Sequence, residues 1–327
     1  MFVKQMNFPA NHVPKNYRNA LPVQERNAPS KLMQPKLCSV TVNPTRMPTL
    51  RFHVGANRKL DATVKALDSF LGQALDDRLA KISSLETKHE DGEGAEPLID
   101  VLLLNKKSDD IRLTLDRDTM KALLLDMYVA GTQTTAALLE WSVAELLANP
   151  HVLKKLTTEI RTIVKDKQVI TNDELDQIEY LKAVVTEAAR LHPPGPVLST
   201  RITTEDVNVM GYDIAKGTRV YINAWAIGRD PKVWDRPNEF MPERFMGDSI
   251  SFLKHDFKLL TFGAGRRGCS GKTFALAVIE HFIANMLCKF DLVLPDGVTK
   301  DDVDLTETIG LSNRPKFPLL ALVKPRT

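Results

Sequence analysis

Apolar positions in this chain recur mostly at three- and four-residue steps, a helical spacing. Leu60, Val64, Leu67, Leu71, Leu75 and Leu79 trace one such stripe from about residue 58 onward. The acidic, glycine-containing stretch Glu86–Pro97 interrupts it as a loop, and a short apolar run, Leu98–Leu104, follows. The next pattern opens at Asp118, a residue able to cap a helix. It runs through Leu123, Leu124, Met127, Leu138, Leu139, Leu146 and Leu147 to Asn149-Pro150. At about 30 residues, such a helix is long enough to cross a whole domain. Two further helices are expected over roughly 150–166 and 173–191, the second closed by Pro193-Pro194. Residues 197–223 change to short strand-like pieces around a Lys216-Gly217 turn. Residues 230–260 are irregular and rich in Pro, Arg and aromatics. Gly271–Phe290 returns to a strongly amphipathic helical pattern, with Phe274, Val278, Phe282 and Met286 on one face. Residues 291–327 alternate short apolar runs with prolines. The fold class is mainly α with small β-sheets.

Composition changes this picture mainly at the start of the chain. Its 327 residues are 43% apolar and 26% charged, with a mean hydropathy of −0.19, which fits a soluble globular protein with an ample core. The net charge of +3 conceals an asymmetry. Residues 1–50 hold seven Lys/Arg against one Glu, a net +6, so the remainder carries −3. The same stretch holds seven of the 19 prolines and has no apolar period. Residues 1–50 therefore read as a disordered basic arm, with no nucleic-acid role assigned to it, and residues 51–327 as the folded part. Cys38, Cys269 and Cys288 lack C-x-x-C spacing, which argues against a disulfide scaffold or a zinc site and fits a reducing compartment. Cys288 lies on an apolar helical stripe and reads as core. No apolar stretch near the start approaches a membrane span or a signal peptide. The expectation is synthesis in the cytosol with no anchor of its own.

One cysteine stands in chemically distinctive company, Phe262-Gly-Ala-Gly265-Arg-Arg267-Gly-Cys269-Ser-Gly271. Glycines let the backbone curl around a bulky ligand. Arginines and the positive end of a following helix favour the thiolate, the form that binds metal. A cradled, partly buried thiolate is what a haem iron needs as axial ligand. By average residue usage, the fixed positions F-x-x-G-x-R-x-C-x-G arise by chance in roughly a few chains per hundred thousand. The same loop carries two other patterns. Gly263-x-Gly265-x-x-Gly268 with Asp291 downstream matches a dinucleotide fingerprint, but no β-α-β unit surrounds it. Gly265 to Gly271-Lys272-Thr273 resembles a phosphate loop with five intervening residues in place of four. A nucleotide-binding protein is thus one alternative.

Three more constellations matter. Ala130-Gly131-Thr132-Gln133-Thr134-Thr135 places poor helix-interior residues at the centre of the long helix, which suggests a locally opened groove with Thr134 as hydrogen-bond donor; a packing accommodation is the plainer explanation. Glu187 is the only glutamate followed by arginine three residues on, and Ala183-Val-Val-Thr-Glu-Ala-Ala-Arg-Leu is too apolar for a wet face. A buried Glu187–Arg190 pair needs a further partner, and Phe240-Met-Pro-Glu-Arg244-Phe245 offers Arg244.

Taken in order, these segments resemble the haem-thiolate monooxygenases, the cytochrome P450 family. Arg190-Leu-His-Pro-Pro194 and the Cys269 run look like its plant microsomal branch. The resemblance implies a partial cytochrome P450 fold, the C-terminal, haem-binding part, over residues 51–327. It implies haem b (iron protoporphyrin IX) with Cys269 as metal ligand, Phe262, Gly265 and Gly271 shaping the loop, and Arg267 and Arg201 pairing with propionates. Glu187, Arg190 and Arg244 become a structural triad. Thr134, with Gly131 and Gln133 beside it, becomes the group that helps deliver protons to dioxygen. Met127, Ala130, Val197, Leu198, Ile309 and Leu311 become substrate-facing. The implied partners are dioxygen, a small apolar secondary metabolite to be hydroxylated, and NADPH–cytochrome P450 reductase, NADPH acting only through the reductase. The implied location is the cytosolic face of the endoplasmic reticulum, or cytosolic and peripheral for a chain without an anchor.

Two departures from the family pattern stand out. Gln133 replaces the usual acidic residue before the helix threonine and cannot titrate, so slower or leakier proton delivery is expected. The family's front half has no counterpart in residues 1–50, which suggests a truncated chain. A non-catalytic remnant with weak or no haem binding is therefore the second alternative.

Overall fold

The computed structural model describes residues 54–85, 97–104, 115–165, 170–247, 257–310 and 312–326. The expected basic arm over residues 1–50 lies outside them. The described residues fall into two compact units that divide between Ala130 and Gly131.

The first unit, residues 54–130, is helical: α1 (Val54–Leu85), α2 (Leu98–Leu104) and the first part of α3 (Arg117–Ala148). Its core is small, with Leu75, Leu102, Leu103 and Met120 buried. Of the described side chains in the stripe expected on α1, Val64, Leu67 and Leu79 are exposed, Leu71 is half-buried and Leu75 is fully buried, because few apolar side chains of this unit reach them. Ion pairs supplement this core: Arg78 donates to Asp100 at 2.5–2.6 Å, and Arg117 to Asp76 at 2.7 Å. Helix α3 begins one residue before Asp118, and its start is capped by Asp116, whose carboxylate accepts from the Thr119 amide at 2.7 Å.

The second unit, residues 131–326, holds most of the core. The remainder of α3 packs with α4 (Pro150–Val164), α6 (Glu179–Leu191) and α8 (Lys272–Lys289). Helix α4 shows why: Val152, Leu156, Ile160 and Val164 recur at four-residue steps and all are buried. The single helix expected over 173–191 is two, α5 (Asn172–Gln177) and α6, broken at Ile178. Thr171 and Glu174 form a capping box at the start of α5. At the start of α6, the Tyr180 amide donates to the Glu159 carboxylate of α4 at 3.2 Å.

Among the described residues, the β portion consists of four two-stranded antiparallel pairs. These are β1 (Arg201–Ile202) with β4 (Arg219–Val220), and β2 (Val207–Val209) with β3 (Tyr212–Ile214). Strand β5 (Phe290–Val293) pairs with β8 (Leu322–Pro325), and β6 (Glu307–Ile309) with β7 (Asn313–Pro315). A short helix α7 (Ala224–Ile227) follows β4, and Pro242–Phe245, Gly265–Arg267 and Lys300–Asp302 form single 3₁₀ turns. The mainly helical class with small sheets is borne out.

Helix α8 departs from the amphipathic pattern expected of it. Ile279, Ile283, Ala284, Leu287 and Cys288 are buried, yet Phe274, Val278 and Phe282 are exposed. The helix is apolar on two faces, and the stripe picked out from the sequence is the outer one. Among the described residues, no helix is long and apolar enough to cross a membrane.

Candidate functional site

The loop before α8 is built from its own backbone. The Gly263 amide donates to the Leu260 carbonyl at 2.8 Å, Gly268 to Gly265 at 2.9 Å, and Cys269 to Phe262 at 2.8 Å. Gly263 and Gly265 have φ of 69° and 70°, a region that side chains with a Cβ rarely enter. The result folds the chain back so that Phe262 and Cys269 face one another across the turn. Partial burial was expected for the cysteine; it is exposed, as are Arg266 and Arg267, because this loop presents its sulfur outward. The dinucleotide alternative has no strand leading into the loop, and Asp291 is engaged by Arg161 at 2.7 Å.

Two segments border the loop. An added Cβ at Gly263 would lie 3.9 Å from Leu198 Cδ1, so Leu198 packs beside it. Leu198 is held by its amide on the Ile222 carbonyl at 3.0 Å, and neighbouring Val197, itself exposed, bridges to Asn223. Arg201 on β1 reaches the Arg267 carbonyl at 3.4 Å. The structure therefore brings Phe262, Gly265, Arg267, Cys269, Gly271, Leu198 and Arg201 into one neighbourhood.

The three charged residues singled out from α6 and the Pro242–Phe245 turn also meet. Arg190 donates from Nε and Nη2 to Glu187 at 2.6 and 2.8 Å, and Arg244 Nε adds a bond to Glu187 Oε1 at 3.0 Å. The Met241 amide donates to the same carboxylate at 2.8 Å. Arg190 Nη1 reaches the carbonyls of Gly228 and Pro237 at 2.5 and 2.7 Å. Two guanidinium groups thus share one carboxylate, and backbone carbonyls take up their remaining donors, so the buried polar groups are satisfied, the condition under which a buried ion pair is tolerated.

The centre of α3 differs from expectation. Residues 130–135 are regular α-helix rather than a locally opened stretch. Each glycine or threonine costs under about 1 kcal/mol of propensity, too little to open a helix whose next turns, from Ala137 and Leu138 to Leu147, are buried. Gly131, Gln133 and Thr134 lie on its exposed side, and Thr135 is buried. Met127 and Ala130 are exposed on the part of α3 that belongs to the first unit. Ile309 ends β6, and Leu311 lies outside the described residues.

A further cluster escaped the sequence reading. His192, which caps the C-terminus of α6, lies between the carboxylates of Glu145 on α3 and Glu307 on β6, at 2.8 and 2.7 Å. Its ring stacks on Trp141, with centroids 3.8 Å apart. Separations of 47 and 115 residues leave no spacing by which a sequence could reveal it.

A flat metallated macrocycle requires a soft donor with an open approach and cations near its acidic edge. The exposed sulfur of Cys269, the tight backbone turn behind it and the adjacent Arg201 and Arg267 meet those needs, so the residues present fit a haem. Comparison with known proteins agrees. The family model described as Cytochrome P450 matches residues 35–320. Cytochrome P450 71A8 of Mentha piperita is 44% identical over 82% of this chain and 51% of its own length. The tabersonine/lochnericine 19-hydroxylase of Catharanthus roseus is 41% identical over 84% of this chain and 54% of its own. A zebrafish cytochrome P450 solved with abiraterone superposes with a TM-score of 0.69 at 27% identity, covering 84% of this chain and 62% of that one. The chain spans about half the length of the curated relatives it matches. A glycine-turned cysteine, a sealed glutamate–arginine core and this breadth of likeness converge, and the chain belongs to the cytochrome P450 family.

Proposed function

We propose that this chain carries the thiolate-side half of a plant haem monooxygenase that hydroxylates a small apolar secondary metabolite. The observation that carries the reading is the Cys269 turn: an exposed sulfur on a backbone curl fixed by the Cys269–Phe262 hydrogen bond and two left-handed glycines. Cys269 is the residue that ligates iron, and Arg201 and Arg267 are the cations for the propionates. Haem, when bound, supplies the iron centre for the oxygen chemistry, with electrons from an NADPH-dependent reductase at the endoplasmic reticulum.

The chain's own residues have narrower tasks. The Phe262 carbonyl accepts the Cys269 amide and so fixes where the sulfur sits on the turn. Val197 and Leu198 offer an apolar wall for substrate; the family resemblance adds Ile309, Leu311, Met127 and Ala130 as candidates from sequence alone. Thr134 holds a proton at Oγ1, with Gln133 beside it as a hydrogen-bonding group that does not titrate. The buried triad of Glu187, Arg190 and Arg244 keeps the surrounding backbone rigid.

A second reading is that residues 54–326 by themselves hold haem weakly and are not catalytic, since the chain spans about half the length of the relatives it matches. Titration with haemin, followed by a reduced carbon-monoxide difference spectrum, separates the two. The first reading expects a thiolate-type band that Cys269→Ser abolishes. A spectrum unchanged by Cys269→Ser would overturn the assignment of the ligand; weak binding that still depends on Cys269 supports the second reading.

A further inference from the structure

We propose that His192 is a positioning residue: an imidazolium that clamps the β6–β7 hairpin to α3 and to the end of α6, and releases it on losing its proton. A neutral imidazole has one N–H and one lone pair, so it satisfies only one of two facing carboxylates. Both ring nitrogens of His192 lie within 2.8 Å of carboxylate oxygens, and the residue is 5% exposed. Only the doubly protonated ring donates to Glu145 and Glu307 together.

The surrounding charges balance on that condition. Arg229, following α7, stands 3.6 Å from Glu307 and rests 4.2 Å over the Trp225 ring, while Trp225 Nε1 donates to Glu307 at 2.9 Å. Asn149 donates to the other oxygen of Glu145 at 3.1 Å. Two cations, His192 and Arg229, thus face two anions; Arg229 also feels Arg190 and Glu187 of α6, which pair with each other, while Arg314 of the hairpin pairs with Glu140. Removing the His192 proton leaves an excess carboxylate in a dry site and turns a lone pair against it. Burial by itself draws the His192 pKa down, but hydrogen bonds to Glu145 and Glu307, and their charges, more than reverse this and leave it raised. Burial pushes Glu307 up, and the bond to His192 contributes to bringing it below its ordinary value.

The clamp has a geometric consequence. The same hairpin is tied by Trp141 Nε1 to the Asn313 carbonyl at 3.2 Å, by the Asn313 amide to Pro194 at 2.8 Å, and by Arg314 to Glu140 at 3.1 Å. Of these ties, the one made by His192 depends on a proton that an imidazole can lose. Its bearing on substrate rests on the reading of Ile309 and Leu311 given above; the clamp itself does not, and needs no haem to be tested.

The test is nuclear magnetic resonance of the whole chain with carbon-13-labelled histidine, from about pH 5.5 to 9.5. Glu307→Gln identifies the His192 signal as the one it moves most. The clamp predicts that His192 titrates above free histidine, that Glu307→Gln lowers its midpoint, and that protection of the Ile309 and Asn313 amides from hydrogen exchange falls through that midpoint. His192→Gln adds a stability reading. With a raised folded pKa, the wild type's advantage is full below the unfolded value near pH 6.5 and shrinks as pH rises through the folded one. Titration at or below the free value, or a wild-type advantage over His192→Gln that is constant with pH, would overturn the clamp.

Discussion

Four donors converge on the Glu187 carboxylate: Nε and Nη2 of Arg190, Nε of Arg244 and the amide of Met241. Glutamate and both guanidinium groups are nearly sealed from water, so removing the negative charge leaves two cations without their counter-ion. Glu187→Gln is expected to destabilise the chain by about 3–5 kcal/mol. Urea or thermal unfolding should show a large drop in midpoint or loss of the cooperative transition; a midpoint near wild type would contradict it. This site was legible because Glu187 alone has arginine three residues on within an apolar segment. The Gly228 and Pro237 carbonyls that hold Arg190 were not legible, since they lie 38 and 47 residues away. His192 is the sharper case: nothing near it in the chain announces Glu145 or Glu307.

At the scale of elements, periodicity located the helices and tertiary contacts set their ends. The break at Ile178 illustrates this. Thr171 and Glu174 start α5 by a local motif, but the start of α6 depends on Glu159, a residue of another helix. Helix α8 adds a titratable group, Glu280, whose pKa burial pushes up to about 7, Lys182 drawing it down and Asp176 adding to the rise. A carboxyl raised in the fold favours folding below its unfolded value of 4.5. That advantage is lost as pH climbs from about 4.5 to about 7, leaving an ionised group in a poor setting above. Glu280→Gln should therefore stabilise the chain at pH 8 by about 3 kcal/mol and make little difference at pH 4. Paired denaturation curves at the two values check this, and equal shifts at both would exclude burial of the charge as the cause.

For the molecule as a whole, the outer face of α8 is the feature that burial alone makes visible. Phe274 and Phe282 are 69% and 52% exposed, with Val278 between them at helical spacing. Such a face drives association. Replacing both phenylalanines with serine should raise the concentration at which light scattering begins about tenfold or more, since burying one phenylalanine is worth roughly 1.5–3 kcal/mol. An unchanged onset would mean that this face is not what associates.

The sequence by itself determined the helical class, the cysteine turn, the glutamate–arginine pair and the family, because each is written in residues close together and constrained by short-range geometry. Turns need glycine where φ is positive, and ion pairs on a helix need a three-residue step. Only the tertiary structure decided that Cys269 faces outward, that α3 stays regular through its threonines, that α8 is apolar on both sides, and that His192 joins two distant carboxylates. Those outcomes depend on which surfaces meet, and burial is settled by packing between segments rather than by the order of residues within one.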